Sequence, residues 1–179
     1  MSHNRFSLTS SVSRILLPVI ILFILLMTGC RQDPYPRWEV EQTVRAYNWG
    51  VAQYHRTGES TTLEDFAGKR EYWRVRTLAA LNNGAGKRLE SSAQSITFEK
   101  VDSVAPSIWE AVSHEKWVYR TVDAKSGEPL ENATEQDFRM LYRVVRREGK
   151  LVVQKVSFYD RRTEAEGWDP YPLSPEWED

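Results

Sequence analysis

The sequence contains few of the residues that form disulfides or bind metal ions in small domains. Its 179 residues include a single cysteine, Cys30, and three histidines. One cysteine cannot form a disulfide within the chain, so an apolar core has to stabilise the fold. His55 and His114, the histidines beyond Cys30, are too far apart to suggest a zinc site. We therefore expect no metal site and no cofactor.

The sequence also lacks a basic excess and the short motifs of common enzymes. Its 24 Lys and Arg face 25 Asp and Glu, a net charge of −1. Nucleic-acid binding needs a basic face, so we expect no nucleic-acid partner. The segment Asn83-Gly-Ala-Gly-Lys87 lacks the Walker spacing and the following Ser or Thr. No serine lies in a nucleophile-elbow motif.

The longest apolar run, residues 15–27, lies near the N-terminus, and Arg5 and Arg14 precede it. It has about 13 residues, whereas a spanning helix needs about 17 to 25, and Pro18 interrupts it. Basic residues followed by a short apolar run are typical of a secretory signal. We interpret residues 1–29 as a signal peptide.

The apolar run leads into Met27-Thr28-Gly29-Cys30, which resembles the bacterial lipobox. The resemblance implies cleavage before Cys30, a lipid thioether on its sulfur, and attachment to a lipid bilayer. Residues 30–37 would then be a lipidated linker, in which Pro34 and Pro36 disfavour helix. We expect the mature chain on the extracytoplasmic face of a cell membrane or outer membrane. Without Arg5 and Arg14, 22 basic residues face 25 acidic ones, a net charge of −3.

Helical periodicity follows the linker. One apolar stripe with spacings of four and three predicts a helix that ends near Gly58: Val40, Val44, Tyr47, Val51 and Tyr54. The segment Thr61-Thr-Leu-Glu64 fits a capping box and predicts a short helix, residues 63–66. A third helix is predicted over residues 69–81, with four residues facing inward: Tyr72, Val75, Leu78 and Ala79.

From Lys87 onward the apolar period changes to about two, which indicates strands. Four strands are predicted, over residues 89–101, 109–123, 138–145 and 151–159. Glu148-Gly149 predicts a compact hairpin between the last two. Helices followed by an antiparallel meander describe an α+β domain over residues 38–160. Residues 161–179 form a Pro- and Trp-rich acidic tail.

This order of elements is similar to the cone-shaped nuclear-transport-factor-2-like and cystatin-like folds, in which three helices pack on a bent antiparallel sheet of about four strands. The closing segment, Tyr142-Arg-Val-Val-Arg-Arg-Glu-Gly-Lys-Leu-Val-Val153, resembles the tyrosine strand, charged turn and final strand of such domains. In particular, it resembles the intermembrane-space-type domain of plastid division proteins.

Aromatic residues on the strands are the candidate binding residues: Trp109, Trp117, Tyr119 and Tyr142. They could line the concave face of the sheet or fill the core behind it. Enzymes of the cone fold place a Tyr, Asp or His in that pocket, which makes Tyr54, Asp65, His114 and Tyr119 the catalytic alternatives. Each of these also has a structural explanation, so we assign no catalytic residue.

The sequence favours a noncatalytic binding or scaffolding module for a protein partner in the cell envelope. The alternative is a small-molecule-binding protein or enzyme that uses the concave pocket.

Overall fold

The computed structural model describes residues 37–159, which contain three helices followed by four strands. The helices are α1 (Arg37–Thr57), α2 (Thr61–Phe66) and α3 (Lys69–Gly84). The strands are β1 (Lys87–Ala105), β2 (Ile108–Asp123), β3 (Thr134–Arg147) and β4 (Lys150–Phe158). They form one antiparallel sheet in the order β1-β2-β3-β4. The predicted α+β class and element order are confirmed.

The predictions for the signal peptide, Cys30, the linker up to residue 36 and the C-terminal tail lie outside the described residues. Within residues 37–159, no helix combines the length and the apolar character needed to cross a membrane.

Helix α1 packs its predicted stripe against the sheet. Val40, Val44 and Tyr47 are fully buried, and Val51 and Tyr54 pack partly buried against the same core. The core also takes Leu63 from α2, Val75 from α3, and residues of three strands: Trp109, Ala111, Tyr142, Val144, Leu151 and Val153. A stripe of this width on one helix face needs an apolar partner, which the sheet supplies.

Helix α2 begins one residue earlier than a capping box at Thr61 predicts, so that prediction is wrong. Ser60 is the N-cap, and its Oγ accepts a hydrogen bond from the Leu63 backbone N–H at 3.1 Å. Glu64 does not reach back to the cap; its carboxylate accepts from the Tyr72 hydroxyl at 2.9 Å. Ser60, whose backbone is extended, caps the helix as well as Thr61 would, because both Ser and Thr can accept a hydrogen bond from a free backbone N–H of the first turn.

Helix α3 continues to Gly84, three residues beyond its predicted end at Leu81. Its buried residues are Glu71, Val75 and Ala79. Tyr72 packs partly buried against the core, as predicted, whereas Leu78 is exposed, contrary to prediction. The burial of Glu71 was not predicted, because the glutamates of an amphipathic helix normally lie on its solvent-exposed face.

The sheet bends through bulges in its first strand. The register of β1 against β2 shifts at three places: between Ala93 and Ser95, between Phe98 and Lys100, and between Ser103 and Ala105. A bulge adds a residue to one strand and increases its bend and twist. The predicted hairpin between β3 and β4 is confirmed, with positive φ at both Glu148 (50°) and Gly149 (81°).

Candidate functional site

A cavity of about 290 Å³ lies between α1, α3 and one face of the sheet. The helices contribute Tyr47, Asn48 and His55 from α1 and Arg74 and Leu78 from α3. The strands contribute aromatic side chains and one buried carboxylate, that of Glu115. The volume is near the lower end of the range of about 300–1,000 Å³ for small-molecule sites.

The carboxylate of Glu115 is surrounded by neutral donors. Its Oε1 accepts from Ser113 Oγ and from the Tyr142 hydroxyl, both at 2.7 Å, and from Asn48 Nδ2 at 3.4 Å. Its Oε2 accepts from the indole Nε1 of Trp117 at 2.8 Å. Ser113, Glu115 and Trp117 alternate along β2, so they share one face of the sheet. Such hydrogen bonds make the burial of a carboxylate tolerable.

Tyr142 and Asn48 join this cluster to α1. Asn48 Nδ2 donates to the Tyr142 hydroxyl at 2.8 Å, and that hydroxyl donates onward to Glu115. Burial, with the Glu115 charge added, raises the pKa of Tyr142 well above its ordinary value. The hydroxyl therefore stays protonated at neutral pH and acts as a donor.

A second buried carboxylate, that of Glu71, lies at the base of α3. It accepts from Arg74 Nε at 2.6 Å, from the Tyr47 hydroxyl at 3.2 Å and from the Val156 backbone N–H at 3.3 Å. Arg74 also donates to the Tyr47 hydroxyl at 3.1 Å. Arg74 thus balances the charge of Glu71. Burial raises the pKa of Tyr47 far above its usual range.

One wall of the cavity is a row of four aromatic rings contributed by β2, β3 and β4. Trp117 and Tyr119 stack with their ring centroids 6.0 Å apart and an interplanar angle of 17°. Tyr119 meets Phe138 edge-on at 5.9 Å, and Phe138 lies 5.7 Å from Phe158. Burial raises the pKa of Tyr119 to about 12. We call Trp117, Tyr119, Phe138 and Phe158 the aromatic row.

His55 lines the cavity from the last turn of α1 and is 7% exposed. Its Nδ1 is buried and makes no hydrogen bond to any group of residues 37–159. Burial lowers the pKa of His55, and the positive charge of Arg74 lowers it further. The imidazole is therefore neutral above pH 6.5, its ordinary pKa.

The lowered pKa of His55 predicts an acid-sensitive fold. Below pH 6.5 the unfolded chain binds this proton and the folded chain resists it, so stability falls as the pH falls. Urea denaturation of the protein from pH 6.5 to pH 4.5 should show this fall, and His55→Leu should reduce it. The stability contributed by Glu99, whose pKa Arg139 lowers, also falls as the pH approaches its ordinary 4.5, and this contribution is the same in the protein and in His55→Leu. An unchanged slope in His55→Leu would contradict the assignment.

The structure brings together three of the four aromatic residues singled out from the sequence. Trp117, Tyr119 and Tyr142 line the cavity. Trp109 belongs to the apolar core instead, with 4% of its surface exposed. It has the same strand parity as Trp117, but it lies where α1 and the sheet pack together. Strand parity predicts the face of a side chain but not what covers that face.

The residues named as catalytic alternatives do not converge on one site. Tyr54 packs partly buried against the core, with its ring 6.3 Å from that of Tyr72. Asp65 is exposed and pairs with Lys150 at 3.3 Å. His114 is exposed and pairs with Glu99 at 2.6 Å. Of that set, only Tyr119 lines the cavity.

Sequence reasoning missed the two buried carboxylates, His55 and Arg74. Glu115 had a usable signal, because it shares the parity of Trp117 and Tyr119 along β2. Among residues 37–159, no group of three or more His, Cys, Asp or Glu side chains is placed to hold a metal ion.

A second concave site, a groove of about 460 Å³, runs between α1 and β1. Arg45, Trp49 and Gln53 line it from the helix, and residues 91–96 line it from the strand. Asn48 and Trp117 border both this groove and the cavity.

Comparison with known proteins places the fold. No protein-family model matches the chain, and no curated protein matches its sequence. Among solved structures, the intermembrane-space region of the chloroplast protein ARC6 is similar with a TM-score of 0.60 and 12% identity, over 70% of this chain and 98% of that one.

Two further solved structures have lower scores. An NTF2-like protein involved in plasmid conjugation has a TM-score of 0.35 and 9% identity, over 63% of this chain and 46% of that one. A cystatin-like domain of unknown function from Nostoc punctiforme has a TM-score of 0.38 and 16% identity, over 79% and 91%. The similarity to the ARC6 region confirms the predicted resemblance to the intermembrane-space-type domain as a likeness of fold.

Proposed function

We propose that this protein is a lipid-anchored, noncatalytic binding module on the extracytoplasmic side of the cell envelope, and that the cavity around Glu115 is its ligand site. The observation that carries the proposal is the cavity itself. Its lining combines mostly apolar walls with a few convergent polar groups, which is the usual composition of a small-molecule site.

The state of the polar groups favours binding over acid–base catalysis. Burial raises the pKa of both Tyr47 and Tyr142, so their hydroxyls stay protonated at pH 7 and act as fixed hydrogen-bond donors. Four donors hold Glu115 in one orientation. Groups held in this way act as a preorganised set of contacts.

The anchor rests on the lipobox resemblance at Cys30. We expect Cys30→Ser to abolish incorporation of a palmitate analogue, because the sequence has no other cysteine to form the thioether. The measurement is metabolic labelling followed by in-gel detection, with His114→Gln as a control that leaves the signal intact. Label that persists in Cys30→Ser would refute the anchor.

The ligand site is tested by closing the mouth of the cavity. Leu78 lines the mouth and is 43% exposed, so Leu78→Trp should narrow the opening without disturbing the core. Leu81, on the same helix and 67% exposed, does not line the cavity, so Leu81→Trp is the matched control.

We expect ligand-observed NMR with a diverse fragment set to show fragments that bind the full-length protein and Leu81→Trp but not Leu78→Trp. The absence of such fragments, or equal binding to Leu78→Trp, would contradict the proposed site.

A protein partner is the second candidate, and the groove between α1 and β1 favours it. β1 is an edge strand, and Ser92, Ala93, Gln94 and Ser95 are exposed along it. Trp49, 55% exposed, stands on the opposite wall. An edge strand beside an aromatic wall can receive an extended peptide by strand addition.

This candidate predicts that Trp49→Asp removes a partner that intact protein retains from solubilised membranes. Trp73→Asp is the control, because Trp73 is similarly exposed but lies on α3, away from the groove. A partner retained equally by both variants would exclude the groove as the docking surface.

A further inference from the structure

The groups that line the cavity include a carboxylate that has no basic partner among the described residues. The lining contains one guanidinium group, that of Arg74, and one carboxylate, that of Glu115. Arg74 is already paired with Glu71 at 2.6 Å. Glu115 makes no salt bridge within residues 37–159; all four of its donors are neutral. One negative charge is therefore left without a counter-charge at the cavity.

The two oxygens of Glu115 are not equally satisfied. Oε1 accepts from Ser113, Tyr142 and Asn48, whereas Oε2, among the described residues, accepts from Trp117 alone. A carboxylate oxygen has two lone pairs, so Oε2 can accept a further hydrogen bond. The acceptor that remains lies beside Trp117, where the aromatic row begins.

The aromatic row suits a cation with an apolar body. The face of an aromatic ring carries a partial negative charge and attracts an ammonium group within about 6 Å. Trp117, Tyr119, Phe138 and Phe158 all line the cavity, and Leu78 and Val156 add apolar surface. An inorganic ion would leave these walls unfilled.

His55 adds a neutral side chain to the same cavity. Burial and the positive charge of Arg74 lower the pKa of His55, so the imidazole is uncharged above pH 6.5 and does not repel a cation.

We infer that the cavity binds a small organic cation, an ammonium group on a short apolar chain or ring, with Glu115 as its counter-charge and the aromatic row as its wall. This inference rests on the proposed function, because it names the ligand class of the same site.

The experiment compares cations with their neutral counterparts on the full-length protein in a maltoside detergent, which carries no ammonium group. The probes are benzylammonium against benzyl alcohol, and butylammonium against 1-butanol, by ligand-observed NMR titration. We expect each cation to bind about tenfold more tightly than its alcohol, the effect of a charge contact together with a cation–π contact.

Two variants test the charge. Glu115→Gln should lose about tenfold in affinity for the cations, whereas Glu148→Gln, which makes the same charge change at the exposed hairpin, should not. Because Glu115→Gln puts an amide beside the indole donor of Trp117 and can unfold the protein, Leu78→Lys provides a second test. It places a positive charge at the exposed mouth and should weaken the cations but not the alcohols, with Leu81→Lys as its control.

Cations that bind no better than alcohols, or not at all, would overturn the inference. So would cation binding that Leu78→Lys leaves unchanged. Fragments that bind the cavity in the Leu78→Trp comparison would then leave the proposed function standing while the cation assignment falls. Failure of that comparison as well would remove both.

Discussion

Trp117→Ala should lower the free energy of unfolding by about 3–5 kcal/mol, the usual cost of truncating a large buried aromatic. Trp117 is 6% exposed and stacks on Tyr119. The truncation removes apolar contacts and also the indole N–H that donates to Oε2 of Glu115. A buried carboxylate oxygen left without its donor adds to the loss.

Denaturant melts monitored by circular dichroism measure this effect. Trp73→Ala is the control: its ring is 48% exposed on α3, and we expect a loss below about 1 kcal/mol. Tyr142→Ala should behave like Trp117→Ala, because Tyr142 is fully buried and donates to the same carboxylate. Losses below about 1 kcal/mol for both Trp117→Ala and Tyr142→Ala would show that this face contributes little to stability.

The sequence allows two alternative roles for Trp117, packing in the core and binding a ligand. The structure shows that one side chain can have both roles. The side chain is buried and also forms part of the cavity wall. A large stability loss in Trp117→Ala therefore does not argue against a ligand site. The surface variants Leu78→Trp and Leu78→Lys separate binding from stability, because Leu78 is exposed.

Gly50→Ala should destabilise the protein by about 1–3 kcal/mol, the usual cost of overpacking. Gly50 lies inside α1, where alanine is intrinsically the better helix former by about 1 kcal/mol. However, a Cβ at this position would lie 2.7 Å from the Leu63 backbone nitrogen and 2.9 Å from its Cα. Helix α1 and helix α2 would have to separate, and the buried Leu63 side chain would move with α2.

Gly84→Ala is the matched control for this prediction. Gly84 ends α3, and a Cβ there would meet nothing within 4 Å. We expect it to be neutral or to stabilise by up to about 1 kcal/mol, the normal gain from replacing an unstrained glycine. Urea denaturation of the two variants side by side gives the difference. Equal effects for Gly50→Ala and Gly84→Ala would show that the contact between Gly50 and Leu63 can accommodate a methyl group without loss of stability, which would contradict the prediction.

The fold could be predicted because its signals are local. The spacing of Val40, Val44 and Tyr47 makes one apolar stripe only in a helix. The change of period at β1, and the Glu148-Gly149 turn between β3 and β4, indicate antiparallel strands for the same reason. The end of α3 was misplaced because Asn82, Asn83 and Gly84 permit a helix end without requiring one.

The candidate site could be predicted only in part. The parity of β2 places Trp117 and Tyr119 on one face, and it places Glu115 there as well. A glutamate on a strand is usually solvated, so the pattern alone does not mark this one as buried. Its burial depends on Asn48 and Tyr142, which lie 67 and 27 residues away along the chain.

What the sequence determined by itself is the set of local decisions: the order of three helices and four strands, the face that each apolar stripe presents, and the motif at Cys30. Only the tertiary structure determined which side chains are covered by other helices and strands. The helices pack on the sheet so that Trp109 lies in the core and Trp117 faces a cavity. The same packing places Gly50 against Leu63 and buries Glu71. Spacing along a chain determines the direction of a side chain relative to its own element, whereas burial depends on elements that are distant in sequence.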